Sequence, residues 1–378
     1  MKKFFAMALA LAMTLSLAAC GAKNEPAASA PAASAPAASA PAASAPADGI
    51  EIALVTDVGN IDDKSFNQGA WEGVVNYAEA NGKAYDYFRP SEDSTVARVE
   101  TISTAIEKGA KVVVCPGFLF EDAIWEVQSQ NPDVQFLLLD GTPHNADYSD
   151  FTQTENVACI LYQEEQAGFF AGYAAVKEGY RKLGFMGGID VPAVIRFGYG
   201  FVQGANAAAV ELGVEKDVSV KYWYSGTFSP DDAIKTKAAG WYTDGTEVIF
   251  ASGGGIYISI CAAANEAGAK VIGVDKDQSF EDASIITSAT KALTPSVEIA
   301  LTNLYANGGK WGADYAGKVV TLGAKDECVG LPTETWSMTN YTVDEYNELY
   351  AKVVSGEVAV SNATDAAPEV AIAVDYAA

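Results

Sequence analysis

The chain has 378 residues, 49% of them hydrophobic, and a formal net charge of −25. That balance argues against a nucleic-acid polymer as partner, which needs clustered Lys and Arg, and against docking on anionic lipid through the protein surface. It suits solubility at a crowded surface and leaves a small neutral or cationic ligand compatible.

The chain opens with Lys2 and Lys3, an apolar run from Phe4 to Leu17, and Ala18-Ala19-Cys20. A basic start, a short apolar stretch and small residues before a cleavage point read as a secretory signal over residues 1–19; the run is too short to span a membrane. Leu17-Ala18-Ala19-Cys20 also resembles the lipobox of bacterial lipoproteins. That resemblance implies cleavage before Cys20, lipid on its thiol, and a protein held on the extracytoplasmic face of the cell membrane by acyl chains. Ala27 to Pro46 repeats Ala-Ala-Ser-Ala-Pro four times. Without charge or large apolar side chains it cannot offset its ordering entropy, and regular proline makes it a semi-stiff spacer, so residues 20–49 read as a tether.

The body from Ile50 to Ala378 is too long for one core of usual size, and two domains are expected. Short apolar runs alternate with amphipathic stretches. Strands are predicted at 50–56, 85–89, 111–115 and 135–139, with helices at 65–81, 96–108 and 120–130 between them. The pattern resumes with strands at 157–161, 182–186, 218–223, 247–251 and 270–274, and helices at 163–178, 194–212, 233–239 and 256–267. A strand at 285–289 and a helix at 295–307 come next. Such alternation implies α/β architecture with parallel strands covered on both faces, in two Rossmann-like lobes that break near 150–156. Besides Cys20, the chain holds Cys115, Cys159, Cys261 and Cys328, far apart and with a single histidine, His144. That spacing speaks against a Cys/His metal site; a Cys115–Cys159 disulfide and buried free thiols are both open.

Ligands of open α/β sheets sit beyond the carboxyl ends of strands. Those positions carry Asp57, then Asp62-Asp63-Lys64-Ser65-Phe66-Asn67-Gln68; Asp140-Gly141; Ser252-Gly253-Gly254-Gly255; Asp275-Lys276-Asp277-Gln278; and Lys291. Carboxylates, amides, glycines and one lysine make a polar cleft, with Phe66, Phe197 and Phe201 near it. The three glycines let backbone approach a ligand, but no Gly-Lys-Ser/Thr comes after them, so this is not a Walker A loop.

Together, Asp57-x-Gly with Ser65-Phe66-Asn67-Gln68, the stretch from Tyr162 to Gly172, Gly187-Gly188 to Pro192, Phe197 with Gly200-Phe201, and Gly273-Val274-Asp275-x-Asp277-Gln278 resemble the basic membrane protein family of extracytoplasmic solute-binding lipoproteins, of the purine nucleoside receptor type. The resemblance covers essentially the whole body. It implies a periplasmic-binding-protein type I fold, a nucleoside between two hinged lobes, and an ABC permease as membrane partner, with no cofactor. It also implies that the chain crosses between lobes more than once: 50–158 with 285–320 in the first, 159–284 with 321–378 in the second.

A nucleoside's flat base suits aromatic faces, here Phe66 and Phe197. Base-edge N–H groups suit the acceptor-only carboxylates of Asp57 and Asp140, with the Asn67 amide beside them. Ribose hydroxyls suit Asp275, with Lys291 donating to a hydroxyl oxygen, and Gly254 gives close backbone approach. Two other functions are open on the residues alone. A binding protein of the same fold would grip a sugar with the same groups. A secreted nucleoside hydrolase needs a nucleophile and base; His144 has no nucleophile motif near it, which leaves carboxylate-plus-water chemistry.

Overall fold

The computed structural model describes residues 49–57 and 59–378; the expected signal, Cys20 and most of the tether lie outside them. Two parallel sheets organise the body. The first is built by β1 (Ile52–Val55), β2 (Tyr85–Phe88), β3 (Val112–Pro116), β4 (Gln135–Leu139), β5 (Val157–Tyr162) and β11 (Lys318–Leu322), in the order β11-β5-β4-β3-β1-β2. The second holds β6 (Lys182–Gly187), β7 (Ser219–Tyr224), β8 (Val248–Ser252), β9 (Lys270–Asp275), β10 (Ile285–Lys291), β12 (Val329–Gly330) and β13 (Ala373–Asp375), in the order β12-β10-β9-β8-β6-β7-β13. Among the described residues only the β10–β12 pair is antiparallel. Among the described residues no helix is long and apolar enough to cross a membrane.

Both faces of each sheet are covered, and side-chain alternation sets which residue goes where. In the first sheet Ile52, Leu54, Val112, Val114, Leu137 and Leu139 join the central core shared with the second lobe. Their neighbours Ala53, Val55, Val113, Cys115, Phe136 and Leu138 pack outward under α2 (Thr95–Glu107) and α3 (Glu121–Gln128). In the second sheet α6 (Asp232–Thr243) and α7 (Ile256–Ala267) cover Met186, Ile249, Ala251 and Val271.

The lobe boundaries differ from those expected. The whole of β5 belongs to the first sheet, where it pairs with β4 and β11, so the first crossing falls at Gln163 and not near 150–159. The strand 285–291, expected in the first lobe, is β10 of the second sheet, with Ser288 opposite Gly273 and Ala289 opposite Val274 of β9. Its apolar residues find a buried ladder beside the preceding strand. The chain returns to the first lobe only with α8 (Leu293–Ala306), which packs on α1 (Phe66–Asn81), and leaves it again between β11 and β12. The α1–α8 contact needs small residues: a Cβ at Gly73 would lie 2.7 Å from Thr294 O and from Val297. The three crossing segments bond to their surroundings and to one another, through Gln163 N to Leu322 O (2.9 Å), Ala292 N to Cys328 O (2.8 Å) and Ala324 N to Gln166 Oε1 (2.8 Å).

The four body cysteines are free and buried. Register explains why Cys115 and Cys159 do not join. Both sit opposite Leu138, on the two flanks of β4, two strand spacings or roughly 9–10 Å apart, beyond the Cα separation a disulfide spans.

The closest helix pair is α4 (Glu164–Glu178) against α5 (Pro192–Leu212). A Cβ at Gly168 or Gly172 would strike the carbonyl oxygens of Phe197 or Phe201; one at Gly200 or Gly204 would strike those of Glu165 or Phe169. Four glycines thus let two backbones touch, with no flexible side chain between them to yield. Gly172→Ala is therefore expected to destabilise the protein by about 1–3 kcal/mol, the usual cost of overpacking. Urea denaturation checks this; an unchanged midpoint would mean the helices separate freely.

Candidate functional site

The carboxyl ends of strands from both sheets converge on one cavity with about 820 Å³ of unfilled space, partly open to solvent. All eight residues expected at a binding site line it: Asp57, Phe66, Asn67, Asp140, Phe197, Gly254, Asp275 and Lys291. They arrive on separate elements. Asp57 comes just after β1, Phe66 and Asn67 open α1, Asp140 comes just after β4, Phe197 lies in the second turn of α5, Gly254 precedes α7, and Asp275 and Lys291 end β9 and β10.

Asp140 and Asp275 occupy equivalent places in the two lobes and share an unusual backbone, with φ of 58° and 64°. Aspartate tolerates this left-handed region better than most residues. Asp275 Oδ2 accepts from Ser65 Oγ of the first lobe at 2.6 Å. Asp140 Oδ2 accepts from Lys291 Nζ, whereas Asp140 Oδ1 is buried without a hydrogen-bond partner among the described residues.

The Asp57 end is held by a dense local network. Asp57 Oδ1 accepts from Gly59 N (2.6 Å) and Asn67 Nδ2 (2.8 Å). Asn67 Nδ2 also donates to Asp63 Oδ2 (3.0 Å), so both amide protons hold carboxylates in place. Asp63 further accepts from the backbone N–H of Ser65, Asn67 and Gln68, satisfying free donors at the start of α1. Asn67 therefore orients Asp57, where the residue type alone suggests an amide free for the ligand.

Lys291 lies at the floor. Its side chain is 2% exposed and its ammonium pairs with Asp140 and, at 2.9 Å, with Glu164 Oε1. Glu164, itself fully buried, is bound on its other oxygen by Arg196 Nε at 2.5 Å. Three rings surround the ammonium, with centroids 5.0 Å (Tyr162), 5.2 Å (Phe66) and 5.4 Å (Phe197) away, within cation–π range.

Burial dominates the acidity of the site. It raises Asp57 to about 6 against the pull of Gly59 and Asn67, and it raises Asp275 against Lys291 and Ser65. It raises Asp140 to about 7 although Lys291 opposes it. Burial works against the charge of Lys291, but Asp140, Glu164 and Asp275 together outweigh it and hold the ammonium above its ordinary range. Burial would also raise Glu164; Lys291 and Arg196 outweigh it and leave that carboxyl lowered.

Phe228, which lines the cavity, and Arg196, which lies behind the lining, are not picked out by the strand-end pattern. Phe228, in the loop after β7, packs on the glycine turn: a Cβ at Gly254, where φ is 51°, would lie 3.0 Å from Phe228 O. Gly254 thus makes room for Phe228. The available signal is an aromatic residue in a turn at a strand's carboxyl end. Ser252, which the strand-end pattern does pick out, also lines the cavity, and its Oγ is buried without a partner among the described residues. Arg196 has a clearer signal, since only it and Glu211 are charged in α5.

The raised acid at Asp57 has a definite sign. Because the folded state binds its proton more tightly than the unfolded chain, its stabilising contribution is complete below about 4 and is lost as pH rises through about 6. Relative to wild type, Asp57→Asn is expected to gain about 2 kcal/mol of stability between pH 4 and pH 7. Parallel denaturant titrations at the two pH values test this; a gap independent of pH would contradict the burial of that charge.

Residues 50–364 match the Bmp family, described as PnrA-like substrate-binding proteins of ABC transporters. The chain is 29% identical to the CD4+ T-cell-stimulating antigen of Listeria monocytogenes, over 82% of this chain and 87% of that protein. It is 30% identical to basic membrane protein B of Borreliella burgdorferi, again over 82% and 87%. It is 31% identical to an ABC transporter nucleoside-binding protein of Lactococcus lactis, over 61% of this chain and 65% of that one. The fold is similar to that of an ABC transporter solute-binding protein from Aeropyrum pernix, with a TM-score of 0.70 and 23% identity over 84% of this chain and 94% of that one. Two parallel sheets with a polar and aromatic cavity at their carboxyl ends, and a family match over most of the body, make this chain a member of the Bmp family of ABC transporter substrate-binding proteins.

Proposed function

We propose that the protein captures nucleosides, purine nucleosides foremost, and delivers them to an ABC permease from the outer face of the membrane, where lipid on Cys20 anchors it. The observation that carries this reading is the placement of Phe66 and Phe197, from different lobes, within 5.2 and 5.4 Å of one buried ammonium in a cavity lined by four aspartates. Two rings from opposite lobes suit a flat base. Asp57 Oδ1 is occupied, while no described residue donates to Oδ2, leaving an acceptor for a base-edge N–H. Asp275 and Lys291 serve the ribose hydroxyls. Asp140 acts chiefly as the charge partner of Lys291, its second oxygen being the remaining acceptor. The excess of carboxylates disfavours a phosphorylated ligand, whose charge would find no unpaired cation in the described cavity lining.

Capture is then a hinge motion about the three crossings, closed by a ligand that touches both lobes. Binding without turnover is the expected behaviour. The nucleoside-binding relative from Lactococcus lactis favours the same ligand class.

Calorimetric titration with adenosine, guanosine and inosine, against uridine and arabinose, tests the reading. A Kd of micromolar order or tighter, about −8 kcal/mol, is expected for the purine nucleosides. Asp275→Ala is expected to weaken it at least tenfold, about 1.4 kcal/mol. Binding of arabinose alone would establish the sugar reading, and release of free base on incubation would establish the hydrolase. Cys20→Ser is expected to move the protein from the membrane fraction to the soluble one.

A further inference from the structure

We propose that Glu164, backed by Arg196, positions the Lys291 ammonium for the ligand and so sets affinity without touching the ligand itself. The proposal rests on the nucleoside reading above and adds a residue to it. Neither Glu164 nor Arg196 lines the cavity. Glu164 is nonetheless fully buried at the first turn of α4, directly after the first crossing between lobes. A helix start favours negative charge, so this is a fitting place for a buried carboxylate.

The geometry makes Glu164 a fork between two cations. Oε2 receives Arg196 Nε at 2.5 Å, and Oε1 lies 2.9 Å from Lys291 Nζ. The other carboxylate on Lys291 is Asp140, at the end of a first-sheet strand. Lysine is thus held by one acid from each lobe, while three rings surround its ammonium. An ammonium has three N–H groups. Asp140 accepts from one; Glu164 Oε1, 2.9 Å away, attracts the ammonium as an ion pair without accepting a hydrogen bond from it, so the N–H groups that Asp140 does not hold are left to donate into the cavity. Lysine has long, freely rotating methylenes, and one acid alone would not fix that direction. Without Glu164, the half-buried Arg196 would also lose its hydrogen-bonded acid and compete with Lys291 for Asp140.

A purely structural ion pair would predict lost stability without specific coupling to Lys291. The test therefore uses the full-length chain and two readouts. Labelling of lysines by an amine-acylating ester, read by peptide mass spectrometry, reports the Lys291 ammonium with no ligand present. Glu164→Gln is expected to raise Lys291 labelling at least fivefold relative to surface Lys216. Titration with inosine is the second readout. Glu164→Gln is expected to raise Kd at least tenfold in the wild-type background and less than twofold in a Lys291→Met background.

Unchanged labelling overturns the proposal whatever the affinity does. So does a Kd that stays within twofold of wild type, or an equal loss in both backgrounds. If the wild-type protein binds no nucleoside, the proposed function falls and, with it, the ligand part of this proposal; labelling then still decides whether Glu164 fixes the ammonium. Glu164→Asp keeps the charge but withdraws it by one methylene. It is expected to act in the same direction at smaller size, and it replaces Glu164→Gln should that variant not fold.

Discussion

The buried ion array of Asp140, Lys291, Glu164 and Arg196 is the constraint around which the cleft is arranged. Removing charges from water is expensive, and a buried array seldom adds net stability over apolar packing of the same volume. Its value here is geometric. It sits where the chain passes between lobes, since Glu164 lies just after the first crossing and Lys291 just before the second. A misplaced crossing would leave an unpaired buried charge, which costs far more than a lost apolar contact. The array therefore penalises alternative lobe connections, and it places a fixed positive charge among otherwise acidic lining.

The glycine-mediated contact between α4 and α5 carries that constraint to the aromatic lining. Glu164 opens α4, while Arg196 and Phe197 are adjacent in α5. Because the backbones touch at Gly168, Gly172, Gly200 and Gly204, the two helices cannot slide without collisions that no rotamer change relieves. Phe197 packs edge-on against Phe250 of β8, 5.9 Å between centroids, which ties the same helix to the second sheet. Ring, acid and lysine thus belong to one stiff body. Phe66 belongs to the other lobe, at the start of a helix whose first turn is capped by Asp63.

Much of this is legible in the sequence, because it depends on local pattern. Strand and helix periodicity locates the α/β elements through residue 307, and the rule that ligands gather at strand ends selects residues that share one cavity. The features that escape it depend on long-range pairing. Nothing local in 285–291 distinguishes pairing with β9 from pairing in the other sheet; only the register of Ser288 with Gly273 does. Periodicity also groups 157–161 with the second-lobe strands, although its partners are β4 and a strand more than 150 residues later. Asn67 is recognisable by type but not by role, because its two protons are claimed by Asp57 and Asp63 only once the loop between them has folded back.

Lobe–lobe contacts that involve no ligand bear on how closure is driven. Ser65 Oγ donates to Asp275 Oδ2, Gln278 Nε2 donates to Lys64 O at 3.1 Å, and Lys276 pairs with Glu72. All three join the segment 64–72 of the first lobe to the loop 275–278 of the second. They lower the free energy that a ligand must supply to hold the lobes together, since a ligand shifts such an equilibrium only by its differential affinity for the two forms. One of them, through Asp275, uses a residue of that loop that also lines the cavity. A ligand that draws on the free lone pairs of Asp275 leaves the Ser65 bond intact, because a carboxylate accepts several donors. On the proposed reading, closure and capture reinforce each other through a single side chain, Asp275, which ties the lobes through Ser65 and lines the cavity.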